Sequence, residues 1–254
     1  MSVATQSPWS GLHDRIGRFF FGYRDYLAPL CGILLLVLAQ PRPFLGDPRL
    51  DAWQNTLGLL VCAAGQLLRF AVIGYAYIKR GGTNKELDAP TLVASGFYAH
   101  SRNPMYVGNF LLLVGLAIIY NAAFVTLLVL PVMLLGIHAI VRAEERFLKE
   151  RFGAQYDEYC RRVNRFLPDP RGLAATMSSM KFEWKRALRK DYGTFFAWTS
   201  VAIIFMIVER LHWFGHEVSM PSLRRLAASW LVLLALYLVA RWAKKTHRLD
   251  TIDD

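Results

Sequence analysis

The feature that most restricts this 254-residue chain is a series of apolar stretches long enough to cross a bilayer. A helix of about 20 mainly apolar residues spans the hydrocarbon core, and fewer suffice where flanking aromatic or cationic side chains reach the interface. Six stretches qualify: Tyr26 to Ala39, Trp53 to Ile78, Met105 to Tyr120, Ala122 to Val141, Tyr192 to Val208 and Leu226 to Ala243. Only Asn121 separates the third from the fourth, which predicts a tight helical hairpin. With 54% hydrophobic and 19% charged residues the chain is not an unstructured one, and it is more apolar than a soluble domain of this size. The expected fold class is all-α, a multi-span integral membrane helical bundle of about six transmembrane helices.

Lys and Arg near the span ends set the orientation. Thirteen of them fall between residues 142 and 190, which places that segment in the cytoplasm. Crossing back over the hairpin puts Lys79, Arg80, Lys85 and Arg102 on the same side, and two further spans bring Arg241, Lys244, Lys245 and Arg248 there. A multi-pass protein with both termini cytoplasmic follows. The net charge of +11 is therefore read as contact with lipid rather than with nucleic acid. The segment up to Asp25 has no small-residue cleavage site after an apolar core, so it is expected to be retained and not to be a cleaved signal peptide. Between Met177 and Lys190, five basic residues alternate with Met180, Phe182, Trp184 and Leu188, as in a helix lying on anionic lipid. Three regions result: 1–80 with two spans, a core over 81–168, and 169–254 with the basic interfacial segment and two C-terminal spans.

Metal chemistry finds little support. Cys31, Cys62 and Cys160 form no CxxC pair. His212 and His216 stand one turn apart at the end of the fifth span, beside Trp213 and Phe214, where an interfacial role outweighs ligation without a third ligand. No metal is predicted.

Polar groups inside or at the edge of spans are costly, so they mark candidate sites. Arg69 lies about 9 residues, or ~14 Å, from the cytoplasmic end of the second span. It is either satisfied by carbonyls and a carboxylate of a neighbouring helix or it meets substrate. The densest constellation brackets the hairpin. Upstream, the stretch from Gly81 to Asn109 delivers Tyr98, Arg102, Asn103 and Tyr106 to the start of the third span through turn-forming glycines and prolines. Downstream, the fourth span continues past the membrane through Glu144 and Glu145 to Pro168. If both helices leave Asn121 together, Glu144 lies about 10 Å beyond the depth of Met105, and the two clusters meet at headgroup level. His138, Arg142 and Glu145 share one face, whereas Glu144 points about 100° away and addresses a different partner.

From Gly81 to Pro168 the chain resembles the isoprenylcysteine carboxyl methyltransferase and phospholipid methyltransferase family of membrane enzymes. The resemblance rests on Leu92-Val93-x-x-Gly96-x-Tyr98, Arg102-Asn103-Pro104-x-Tyr106-x-Gly108, the Glu144-Glu145 pair, and Phe152-Gly153-x-x-Tyr156-x-x-Tyr159. Asn103 departs from the family, which usually has histidine there; an amide still donates and accepts hydrogen bonds but carries no titrating proton. The resemblance implies a cytoplasmic-side pocket for S-adenosylmethionine, lined by Gly96, Tyr98, Asn103, Pro104, Tyr106, Glu145, Tyr156 and Tyr159, with no Rossmann domain. No GxGxxG-type loop occurs in the chain.

A sulfonium that also carries an ammonium and a carboxylate needs a carboxylate partner, a hydrogen-bonding group and an aromatic wall. Glu144 or Glu145, Asn103, and Tyr98 or Tyr106 supply them. Methyl transfer is an in-line displacement in which charge disperses, so alignment and exclusion of water carry most of the acceleration. A carboxylate acceptor needs only positioning, for which Arg102 is the clamp. An amine must first lose a proton, and the glutamate not engaged with the cofactor serves as base. Arg102, Glu144 and Glu145 are thus the catalytic candidates, and Arg69 and Arg102 the substrate-binding ones. The expected acceptor is a lipid or lipid-modified molecule. Two other readings stand beside this one: an NADPH-dependent membrane double-bond reductase with a related core, and a non-catalytic membrane binding protein.

Overall fold

The computed structural model describes residues 40–42, 46–75, 89 and 91–250, without the side chains of 48–49 and 214–219. The first expected span, Tyr26 to Ala39, lies outside the described residues. The rest is helical: α1 Pro48–Tyr75, a 3₁₀ turn Gly96–Ala99, α2 Pro104–Tyr120, α3 Leu130–Phe152 entered through a π-helical turn Val125–Val129, α4 Ala154–Arg162, α5 Leu173–Ser178 and α6 Trp184–Lys245. Among the described residues there is no strand. Four segments are long and apolar enough to cross a membrane, Leu50–Tyr75, Val125–Phe152, Trp184–Trp213 and Met220–Lys245, and α2 is a shorter apolar helix beside them. The architecture is that of an integral membrane helical bundle.

The α1–α2 pair is antiparallel and meets on glycines seven residues apart on each helix. A methyl group built on Gly65 would lie 2.7 Å from the Gly108 carbonyl oxygen, and one on Gly115 would lie 2.6 Å from the Gly58 carbonyl oxygen. Small residues let helix backbones approach closely where lipid offers no hydrophobic drive for association, so this seam is what holds the pair. The Gly108 of the Arg-Asn-Pro-x-Tyr-x-Gly motif thus has a packing duty, since the Arg69 side chain also passes across it.

Asn121 ends α2 in the left-handed conformation (φ 43°, ψ 48°), its N–H bonded to the Ala117 carbonyl at 3.2 Å. The predicted hairpin is present at that residue. Pro131 follows at the start of α3. Proline has no N–H and its ring crowds the preceding turn, which accounts for the widened π turn just before it. Asn103 and Glu145 come into contact, so the two polar clusters that bracket the hairpin meet, as its geometry predicts.

α6 is helical throughout and folds back on itself. Its two arms, Trp184–Trp213 and Met220–Lys245, touch through Tyr192 and Tyr237 (5.3 Å between ring centroids), Phe196 and Tyr237 (4.4 Å), and the Trp230 indole N–H, which donates to Ser200 Oγ at 3.1 Å. The first arm runs antiparallel to α1 and closes the core, which gathers Cys62, Leu112, Ile119, Tyr120, Trp198 and Phe205.

The stretch read from sequence as one interfacial helix, Met177 to Lys190, is divided. α5 ends at Ser178, and the basic residues after Trp184 form the first turns of α6. The division has a physical cause at the end of α1. Glu183 N–H and the Arg186 guanidinium take the carbonyl oxygens of Ile73 and Gly74 at 2.8 to 3.0 Å, tying the chain before α6 to the last described turn of α1. Phe182 packs beside them on Phe70 and Tyr75.

Candidate active site

Two segments distant in sequence meet where α2 begins. Pro104 occupies the first turn of α2, where its missing N–H costs nothing, and Asn103 precedes it as the N-cap residue. The Asn103 side chain makes no capping bond. Its amide instead donates to Glu145 Oε1 at 3.3 Å and to the Arg165 carbonyl at 3.2 Å. Glu145, nine-tenths buried, also receives Arg102 Nη1 at 3.4 Å and Arg165 Nη2 at 2.8 Å. One carboxylate thus faces two guanidinium groups and an amide. Burial opposes charge on Arg102, and the Glu145 carboxylate, aided by Cys160 and Tyr156, overrides it and raises the guanidinium pKa.

Glu144 faces elsewhere, as adjacent positions on a helix require. Its Oε1 accepts the Tyr106 hydroxyl at 2.7 Å. The two glutamates therefore serve different partners on α2 and its approach.

α4 covers this junction. Gly153 turns the chain between α3 and α4 at φ 51°, a left-handed value that favours glycine. It brings Tyr156 and Tyr159 inward, where both are buried with Val163 against Leu92, Leu148 and Phe152. The Tyr159 hydroxyl donates to the Tyr98 carbonyl at 2.7 Å. Burial, with Glu145 among the smaller causes, pushes both phenols above the usual tyrosine range. Cys160 accepts from Arg102 Nη1 at 2.6 Å. Gly96 sits in the 3₁₀ turn with φ 62°, and an added methyl there would meet Met180 at 3.1 Å. Arg102, Asn103, Pro104, Tyr106, Glu144 and Glu145 are thus assembled at one junction, with Tyr156 adjoining Arg102 and Tyr98 joined through Tyr159.

Arg69 is not among them. Its guanidinium engages both oxygens of Asp191 on α6, Asn109 on α2 and Thr194 (3.2 Å). Of the two readings open from sequence, the pairing with a neighbouring carboxylate is the one this geometry displays. Asp191, Arg165 and His100 carry contacts that sequence reasoning did not single out. Asp191 had a signal, because a lone acid at the start of a span is the natural counterpart of a lone arginine inside another. Arg165 had none beyond its place among several surface arginines. Among the described residues no group of three or more His, Cys, Asp or Glu is arranged to hold a metal ion.

Residues 53–155 match the family model described as phospholipid methyltransferase. Over that stretch the chain resembles this family. The match begins earlier than the motifs do and takes in α1, whose glycines complete the seam with Gly108 and Gly115. It ends before Tyr156, so all but the first two residues of α4, Arg165 and all of α6 lie beyond it. Among curated proteins, the chain is 30% identical over 117 residues to the protein-S-isoprenylcysteine O-methyltransferase of Saccharomyces cerevisiae, covering 45% of this chain and 48% of the relative. It is 30% identical over 143 residues to the protein of the same name from Xenopus laevis, covering 50% of this chain and 45% of the relative. It is also 38% identical over 78 residues to the cobalt-zinc-cadmium resistance protein CzcN of Cupriavidus metallidurans, covering 31% of this chain and 36% of the relative. The chain spans about half or less of the length of these curated relatives. No solved structure matches it significantly.

Proposed function

We propose that the chain is an integral membrane methyltransferase that uses S-adenosylmethionine and methylates a carboxylate on a lipid or lipid-modified acceptor at the cytoplasmic leaflet. The observation that carries this reading is the junction of Asn103, Arg102 and Arg165 on the Glu145 carboxylate, formed by the family motif and the far end of the hairpin. The family match and the isoprenylcysteine methyltransferase relatives support the chemistry, and the clustering of Lys and Arg at one end of the spans supports the leaflet.

The donor set suits the cofactor. Arg102 Nε and Arg165 Nε are buried beside Glu145 with no hydrogen-bond partner, so each still has a donor to offer an anionic group. Glu145 and Asn103 match an ammonium and a polar edge, and Tyr98, Tyr106, Tyr156 and Tyr159 provide aromatic surface. In this reading these residues hold the cofactor together with Gly96 and Pro104. When bound, the cofactor supplies an electrophilic methyl group on a sulfonium.

The chain's own groups do the rest. Arg102 orients a carboxylate oxygen for in-line attack, which needs no proton removal. Both oxygens of Glu145 are taken up by Asn103, Arg102 and Arg165, which commits it to holding the junction and favours a carboxylate acceptor over an amine. Tyr156, Tyr159 and Val163 exclude water from above, where alignment and a dry environment matter most. Arg69 contributes by fixing α6 to α1 and α2.

The deciding experiment incubates purified protein with methyl-labelled S-adenosylmethionine and a total lipid extract. A labelled lipid whose label is released by mild base, as methanol from an ester, bears the proposal out. A base-stable label moves the assignment to an amine, with Glu144 as base. Label in water-soluble products alone overturns the lipid reading.

A further inference from the structure

After α4, residues 164–183 cross back over the start of α2 before α6 begins. Four consecutive residues hold this strap. The Arg102 N–H donates to the Asn164 carbonyl at 2.9 Å, Ser101 Oγ to the Phe166 carbonyl at 3.1 Å, and Asn103 Nδ2 to the Arg165 carbonyl at 3.2 Å. His100 makes three contacts. Its carbonyl accepts the Asp169 N–H at 2.9 Å, its Nδ1 lies 2.8 Å from the Asp169 carbonyl oxygen, and its Nε2 lies 2.9 Å from Thr176 Oγ1. The ring is buried although α5 and the chain around Asp169 are largely exposed.

The chemistry fixes the tautomer. A carbonyl oxygen only accepts, so Nδ1 carries the proton and donates to Asp169. The neutral ring then accepts the Thr176 hydroxyl at Nε2. A threonine hydroxyl also accepts once it rotates, so the second contact persists if the ring becomes charged. Arg102, Asn103 and the strap's Arg165 belong to the Glu145 junction, and His100 lies two residues from the first of them. Displacement of the strap would carry away the Arg165 carbonyl and guanidinium together.

We propose that His100 is a positioning residue: its imidazole pins the strap at Asp169 and Thr176 and thereby keeps Arg165 on Glu145. This rests on the methyltransferase reading for its kinetic consequence but not for its structural one. It predicts that loosening the pin weakens retention of the methyl donor more than it slows the transfer.

The test compares His100→Ala, His100→Asn, His100→Gln and Thr176→Val with the unmodified full-length protein in detergent. Asparagine keeps a donor near the Nδ1 position and glutamine a polar group near Nε2. Loss of both contacts is expected to raise KM for S-adenosylmethionine about tenfold with kcat changed about twofold at most, and loss of the Thr176 contact alone about threefold. Limited trypsin cleavage at Arg171, in the strap, should accelerate in the same order, with His100→Asn the least affected of the His100 variants. Thr176→Val removes one hydroxyl and serves as the test if His100→Ala fails to fold. Cleavage at the unmodified rate in Thr176→Val and His100→Ala overturns the proposal, as does faster cleavage with KM unchanged. If cleavage accelerates in the expected order and even the unmodified protein methylates nothing, the strap assignment stands and the methyltransferase reading falls.

Discussion

Asp191, on the first arm of α6, grips Arg69, on α1, through both carboxylate oxygens, and neither side chain is appreciably exposed. Gln66 adds a hydrogen bond to the same carboxylate at 2.6 Å and is itself held by the Trp198 indole at 2.9 Å. The pair therefore ties the C-terminal hairpin, beyond the family match, to the two helices inside it. Removing one partner of a buried ion pair leaves an uncompensated charge, at a cost of about 3–5 kcal/mol. Asp191→Ala should lower the unfolding midpoint in detergent sharply, while Arg69→Met combined with Asp191→Leu should recover most of the loss. Equal melting of Asp191→Ala and the unmodified protein would refute the bracing role.

Glu145 and Glu144 should separate in mutagenesis. Glu145→Gln removes the charge facing Arg102 and Arg165, and S-adenosylmethionine affinity should fall at least about tenfold, in line with the loss of a charge-assisted contact. Glu144→Gln keeps an oxygen able to accept the Tyr106 hydroxyl and should bind within about threefold of the unmodified protein. Calorimetric titration of both variants checks the order; retention of full affinity and turnover by both would displace the site from this junction.

At the glycine seam, Gly65→Ala places a methyl group 2.7 Å from the Gly108 carbonyl oxygen, with backbone on the receiving side. Overpacking of this kind costs about 1–3 kcal/mol. Tryptophan fluorescence during denaturation should show the loss, and Gly65→Leu should fail to accumulate as folded protein. Alanine at Gly193, where an added methyl meets nothing within 4 Å, is the control and should be silent.

The alkaline titration is also fixed in sign. Burial raises the pKa of Tyr156 and Tyr159 in the folded protein above the ordinary tyrosine value of about 10. Folding then favours the protonated phenols. Their contribution to stability is complete below that ordinary value and drains away as pH climbs from it towards the folded values. Difference absorbance should show these two ionising late, near the onset of unfolding. Phenylalanine at both positions should remove the late phase; a titration in which all tyrosines ionise together would contradict it.

The hairpin and the spans after it were legible in the sequence because a bilayer demands length and apolarity, and both are countable. The 100° offset of Glu144 from Glu145 was equally plain, being a property of any helix. Three things were hidden. The partner of Arg69 lay 122 residues away, and periodicity does not say which helices are neighbours. Arg165 looked like one more surface arginine until the strap brought it onto Glu145. The break at Phe182 goes with hydrogen bonds from Glu183 and Arg186 to the Ile73 and Gly74 carbonyls of α1, a tertiary contact that overrides the local amphipathic pattern around Met177 to Lys190.

The second arm of α6 exposes Leu231, Val232, Leu236, Leu238, Val239 and Trp242, and along Met220–Lys245 only Leu233 and Ala240 are buried. Such an arm is read by the acyl chains around it for its overall greasiness and its length, hardly for the identity of its letters. Swapping one aliphatic residue for another along its outward side should pass unnoticed, while a single lysine at mid-depth should not. Within this fold, then, the freedom to vary is distributed unevenly, wide on the flank that meets only fatty tails and narrow where Asp191 reaches inward.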